Sequence, residues 1–351
     1  MNTVLDMKPA KPRLPEFDIA RGVAMLAIIF CHTCMLDYVT DGSQMAIEFC
    51  FTFNVALFFI VSGYFTKGTK VTKASLKKDA VSLLLPYAAA SASLIVLATV
   101  FYLIVGSGAL DSFIEWSVAA LYGSGAHSAG MPSGVGAVGA IWFLLTLFWS
   151  KQLLISIMGM KNPGVWAVLL FLAGMNYGTS FWLPFSLHAS LCGVLFMYVG
   201  RIAREEGLLK PGAIPIPLLL AIAGIGIYAG LFGGGSYMVE NLYPSGYLNV
   251  AGGVCLSFLI IKLSRAAAVR AAGLVAPLKW VGRRTLPILC MHLLFTMAQG
   301  ALGSVLIPLT QGLSVVWPFA FVLNVAGPVF LVGLLGLLPR PVGRLFGLST
   351  D

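Results

Sequence analysis

Charge is scarce in this chain. Asp, Glu, Lys and Arg together make up 10% of its 351 residues, against roughly a quarter in an ordinary soluble domain. With 59% hydrophobic residues and a mean hydropathy of +0.93, that scarcity excludes a water-soluble globule, because no aqueous fold of this length hides so much apolar surface. Acidic residues are the rarer sign, 13 against 22 basic, for a net charge of +9. The surplus is not a nucleic-acid signature, since the basic residues are dispersed over short segments instead of forming an aromatic-interleaved face. Histidines number four, and none stands at a tight ligand spacing with another histidine or a carboxylate, so no metal is expected. All six cysteines (Cys31, Cys34, Cys50, Cys192, Cys255, Cys290) fall inside apolar runs, which excludes a secreted disulfide framework. Neither a P-loop nor a dinucleotide fingerprint is present, and Gly233 to Gly235 reads as a turn.

What the chain has is apolar runs long enough to cross about 30 Å of hydrocarbon. The expected fold is all-α, a polytopic membrane helix bundle with about ten transmembrane helices. The spans read as Phe17 to Leu36, Met45 to Phe65, Ala80 to Val105, Val138 to Met158, Val165 to Tyr177, Leu183 to Gly200, Pro215 to Phe232, Tyr247 to Leu263, Leu286 to Leu306 and Val315 to Leu338. Asp111 to Tyr122 reads as a further helix lying at the surface, with Phe113, Trp116 and Ala120 at helical spacing. Lysines and arginines occupy the N-terminal tail (Lys8, Lys11, Arg13), the connection Lys67 to Lys78, and every second connection thereafter. By the positive-inside rule both termini are then cytoplasmic. The expected organisation is a tail over residues 1–16, one membrane domain over 17–338 and a second tail over 339–351, in a multi-pass protein of the cell membrane. A glycine-rich stretch around Gly123 to Gly139 reads as a connector or a mobile cover.

The first span carries Asp18, Arg21 and His32. Eleven positions separate Arg21 from His32, so at 100° per residue they fall within about 20° of each other and roughly 16 Å apart along the axis. Ionisable groups inside a span are costly and face protein or water, so this pair is expected to look into one cavity. His32 suits a general base that takes a proton from an attacking hydroxyl. Arg21 keeps its proton and suits a carbonyl or phosphate oxygen, or an ion pair with Asp18 one turn earlier. Gly22 beside it admits a close neighbour. Asn54, Ser62 and Tyr64 are the polar groups of the second span, and Glu48 stands near its outer end. His292 lies midway along the ninth span, behind Arg283 and Arg284, and two histidines from different spans can line one tunnel. His188 and His127 are nearer the outer surface. The Cys31-His32-Thr33-Cys34 run also has the spacing of a thiol pair.

These residues carry a resemblance. Asp18-Ile19-Ala20-Arg21-Gly22, with ten residues between Arg21 and His32, resembles the hallmark of the acyltransferase 3 family of integral membrane O-acyltransferases. Phe58-Phe59-Ile60-Val61-Ser62-Gly63-Tyr64, Leu85-Pro86-Tyr87, Trp142-Phe143-Leu144, and Trp280-Val281-Gly282-Arg283-Arg284-Thr285-Leu286 leading to His292 follow in the family's order. The resemblance implies ten core spans and the transfer of an acyl group, usually acetyl, from cytoplasmic acyl-CoA to a hydroxyl of a glycan at the outer face. It implies His32 as base and Arg21 as the group that orients or stabilises the donor. Asp18, Asn54, Ser62, Tyr64, Trp142 and His292 are the expected substrate-facing residues, and Lys77, Lys78, Arg283 and Arg284 the expected holders of the acyl-CoA phosphates. Two positions depart from the pattern: Lys77-Lys78-Asp79 stands where members often carry a doubled arginine, and Leu289 replaces a tyrosine. The same residues also fit a transporter or flippase of an anionic or lipid-linked substrate, with Arg21 as anion site and His32 as proton relay.

Overall fold

The computed structural model describes residues 14–35, 41–126, 135–177, 180, 182–310 and 317–348. In chain order the helices are α1 (Pro15–Met35), α2 (Asp41–Phe65), α3 (Lys73–Asp79), α4 (Leu85–Val105), α5 (Ala109–Tyr122), α6 (Trp142–Ile157) and α7 (Pro163–Tyr177). They continue with α8 (Leu187–Glu205), α9 (Ile216–Phe232), α10 (Tyr247–Arg270), α11 (Ala276–Arg283), α12 (Thr285–Thr310), α13 (Trp317–Leu337) and α14 (Arg340–Leu345). Among the described residues there is no strand, only one isolated bridge, between Tyr237 and Leu242. The protein is an all-α membrane bundle.

Among the described residues, seven helices are long and apolar enough to cross a bilayer: Pro15–Met35, Ser43–Phe65, Lys73–Val105, Gly139–Ile157, Pro184–Glu205, Tyr247–Arg270 and Pro318–Leu337. Three shorter apolar helices, Pro163–Tyr177, Ile216–Phe232 and Thr285–Gly300, stand where the other three runs were read. The surface helix is present as α5, with Phe113 exposed and Trp116 and Ala120 turned to the core. Two short helices, α11 and α14, are additions: at 8 and 6 residues they are too brief to register as apolar runs.

Glycine lets the helices touch. A Cβ at Gly63 would overlap the Met197 carbonyl, and one at Gly200 would overlap that of Ile60, so α2 and α8 cross with backbones in contact. Gly22 and Gly282 do the same for α1 and α11, meeting the carbonyls of Leu278 and Asp18. The C-terminal carbonyls of α2, which lack partners inside their own helix, receive guanidinium donors from α8. Arg201 Nη1 donates to Thr66 O at 3.1 Å, and Arg204 Nη1 to Tyr64 O at 2.8 Å and Thr66 O at 2.7 Å. Glu16 at the start of α1 pairs with Arg265 of α10.

Between Asp79 and Leu85 the helix widens into one π turn, Ala80–Leu84, just before Pro86. Such a turn shifts the register of what precedes it. Asp79 is thereby buried against α6 instead of pointing outward like its neighbours Lys77 and Lys78.

Apolar side chains pack in two main clusters. One joins α1, α2, α6, α7, α8 and α10 around Leu57, Phe59, Ile60 and Phe196, and the other joins α1, α4, α6, α12 and α13 around Met25, Leu94, Leu144 and Ile288. Phe58 and Phe143 pack against both, and the space beside them is open.

Candidate active site

A cavity of about 690 Å³ runs along α1 and α2. Its wall on α1 is Arg21, Met25, Ile28, His32 and Met35, positions spaced by four, three, four and three, which is one stripe of a helix. From Arg21 to Met35 that stripe covers about 21 Å of helix axis, most of a hydrocarbon core. On α2 the matching stripe is Phe51, Asn54, Val55, Phe58, Ser62 and Phe65. The guanidinium and the imidazole named from the sequence therefore look into one connected space.

The Arg21 end is cationic. Asp18 lies between two guanidiniums, with Arg21 Nη1 at 3.6 Å from Oδ1 and Arg283 Nε at 3.1 Å from Oδ2. One carboxylate thus faces two cations, and both arginines line the cavity. Arg21 also lies over the Phe65 ring, 5.6 Å from its centre. The contact of α1 with α11 through Gly22 and Gly282 is what brings Arg283 to Asp18. Lys151 of α6 adds a third cation to the wall. Its Nζ is 2.5 Å from Asp79 Oδ1, and Gln152 Nε2 donates to Asp79 Oδ2 at 3.1 Å.

The His32 end is neutral to acidic. Around it stand Phe51, Asn54 and Trp142, together with the segment Ser236 to Glu240, which joins α9 to α10. Partial burial raises the Glu240 carboxyl from its ordinary value. The His292 ring centre is 5.7 Å from that of His32. His292 itself is buried and does not line the cavity.

The other residues named from the sequence divide between the cavity and the rest of the bundle. Asn54, Ser62, Trp142 and Arg283 line the cavity with Arg21 and His32, whereas Asp18 reaches it through its two arginines. Tyr64 does not line the cavity; its ring packs 4.6 Å from that of Phe17. Arg284 turns away to stack over Trp280 at 4.5 Å. Lys77 and Lys78 are exposed on α3, away from the cavity wall. Glu48 accepts a hydrogen bond from Gln44 at 2.6 Å. Cys31 and Cys34 are free, buried and packed with Ile47, away from the cavity. His188 bonds Val239 O through Nε2 at 2.9 Å and lies against Trp182, while His127 is outside the described residues, as is part of the glycine-rich stretch.

Lys151, Ser236, Tyr237 and Glu240 are not singled out by the sequence, and Asp79 stands out there only as part of the Lys77-Lys78-Asp79 departure. Lys151 carried a signal, a charge inside the span Val138 to Met158, but it reads equally as part of the basic end of that span. Glu240 is a lone acid in an uncharged connection, a weak signal by itself.

Residues 14–333 match the family model described as an acyltransferase domain, acyltransferase 3. The chain belongs to this family. No curated protein and no solved structure matches the chain. The matched region of this acyltransferase 3 member takes in the whole of α1 to α12 and hence nearly every wall of the cavity.

Proposed function

We propose that this protein is an O-acyltransferase of the cell membrane, moving an acyl group, acetyl in the first instance, from cytoplasmic acyl-CoA to a hydroxyl of a cell-surface or exported glycan. The observation that carries the reading is the connected cavity with arginines at one end and His32 toward the other. A bundle built only for anchoring has no use for a cavity of that length that carries two arginines and a histidine. Family membership supports acyl transfer as the chemistry.

In this reading the cationic end faces the cytoplasm, as the distribution of basic residues indicates. The phosphates of acyl-CoA meet Arg283 and Arg21, with the second charge of that pair left over after Asp18 is neutralised. The thioester extends along the α1 stripe to His32. There the acceptor oxygen attacks the thioester carbonyl carbon, an O–C bond forms and the C–S bond breaks. The hydroxyl proton passes to the His32 imidazole and on to the departing thiolate.

Purified protein supplied with labelled acetyl-CoA and a hydroxyl acceptor tests this. The expected result is release of free CoA with label in an alkali-labile ester of the acceptor. A transporter or flippase also needs a passage through the bundle, but it leaves acetyl-CoA intact with every acceptor, and that outcome would replace the proposal.

A further inference from the structure

One wall of the cavity is not a helix. Between α9 and α10 the chain runs through Gly233 to Leu242 with almost no regular structure, yet it is anchored by three buried polar side chains. Asn249 Nδ2 donates to Gly233 O at 2.9 Å and Gly235 O at 2.6 Å. Asn241 Nδ2 donates to Gly174 O at 3.0 Å and His188 O at 2.9 Å. His188 Nε2 lies 2.9 Å from Val239 O. The loop closes on itself through Tyr237 N to Leu242 O and Leu242 N to Tyr237 O, at 2.9 and 3.1 Å.

Their hydrogen bonds offset the cost of burying these polar side chains and hold the loop in one position. What the anchors fix is the inward aim of its residues. Ser236, Tyr237 and Glu240 all line the cavity. Ser236 is 6% exposed, and its Oγ has no hydrogen-bond partner. A buried hydroxyl left without a partner inside a cavity is a position for a ligand atom. The Tyr237 ring is held by Phe51, 5.0 Å between centres, and Trp142 and Asn54 stand on the same stretch of wall as His32.

We propose that loop 233–242 is the acceptor subsite, built for a polyhydroxylated ring. Resting on the O-acyltransferase reading, it assigns Glu240 and Ser236 to the acceptor's hydroxyls, and Tyr237 and Trp142 to the apolar face of the ring. The carboxylate accepts two hydroxyl hydrogen bonds, the serine donates or accepts one, and an aromatic face packs on ring C–H groups. These contacts leave one hydroxyl toward His32. Ser236, Tyr237 and Glu240 are binding residues in this scheme, and Asn241, Asn249 and His188 are positioning residues.

The test uses native membrane vesicles carrying the full chain, labelled acetyl-CoA, and methyl glycosides as added acceptors. Two quantities are read separately: protection of the protein against thermal unfolding by acetyl-CoA, and label transferred to alkali-labile sugar esters. Glu240→Gln is expected to raise the apparent acceptor KM about tenfold and Ser236→Ala about threefold, with acetyl-CoA protection unchanged. Glu240→Asp is expected to recover part of the loss, which a merely structural role would not. Wild-type acceptor KM in both Glu240→Gln and Ser236→Ala overturns the subsite, as does loss of acetyl-CoA protection in Glu240→Gln, and either leaves acyl transfer standing. Absence of ester label in wild-type vesicles, on added glycosides and on the vesicles' own glycans alike, overturns the O-acyltransferase reading and the subsite with it.

Discussion

The two ends of the cavity are made by different means. At the Arg21 end every charged group is held by helix against helix: Gly22 and Gly282 bring α1 and α11 into contact, Asp18 ties Arg283 to Arg21, and Asp79 ties Lys151. At the His32 end the wall is a loop hung from backbone carbonyls by Asn241, Asn249 and His188. Helices hold a site rigidly but offer few ways to vary it, whereas a loop on a rigid frame can change without disturbing the frame. Under the proposed function, the anionic donor would use the first arrangement and the hydroxyl acceptor the second. The two ends should then fail independently when mutated.

His32 is the proposed base in the transfer itself, so its removal is expected to have the largest effect. His32→Ala should lower acyl transfer about a thousandfold while the protein still inserts and is still protected by acetyl-CoA. Transfer within tenfold of wild type would take the imidazole out of the chemistry. The next effect belongs to the donor end's ion pair. Asp79 is 3% exposed, and Asp79→Asn leaves Lys151 charged without its carboxylate. The expected loss is about 2 kcal/mol in detergent unfolding, less than for a fully buried pair, because 26% of the Lys151 side chain is exposed and solvent screens it. Asp79→Asn combined with Lys151→Met should recover most of that loss; a double variant no better than the single denies the pair its role.

Independence of the ends is sharpened by two variants read side by side. Arg283→Ala should raise the apparent KM for acetyl-CoA about tenfold and leave that of the acceptor alone. Asn249→Ala, which strips partners from the Gly233 and Gly235 carbonyls, should do the reverse by about the same factor. If either variant moves both constants together, the ends are coupled and the division fails.

How much of this is legible in the sequence follows the same division. The α1 stripe is a matter of helical period, so Arg21 and His32 in one cavity can be read from spacing alone. The apolar runs likewise mark α2, α9 and α13 to within a few residues, whereas α10 runs on past Leu263 to Arg270. Asp79 with Lys151 is different: the partners are 72 positions apart and meet because a π turn rotates Asp79 inward, a register shift that no periodicity announces. The short α11 is written in a recognisable motif, Trp280 to Leu286, but as a helix it is too brief to show. Ser236, Tyr237 and Glu240 are the least legible. Their direction depends on hydrogen bonds that Asn241 donates to the carbonyls of Gly174 and His188, more than fifty positions away, and that Asn249 donates to Gly233 and Gly235, and a loop has no period from which to infer it.

The smallest expected effect concerns the residues that composition makes most conspicuous. Lys77 and Lys78 form the densest basic pair before the third apolar run, and on sequence they are natural phosphate holders. In the fold both are exposed on α3, outside the cavity wall, while the inward position is taken by Asp79. Exposed lysines contribute a screened, diffuse attraction, whereas Arg283 is oriented by Asp18 and can present a fixed pair of donors. Lys77→Ala with Lys78→Ala should therefore shift the acetyl-CoA KM by no more than about twofold, and that shift should vanish as ionic strength rises past the range where the Debye length is about 8 Å. A salt-independent tenfold rise would instead place a phosphate contact on α3, moving the donor's entrance from the Arg283 side of α1 toward the π turn.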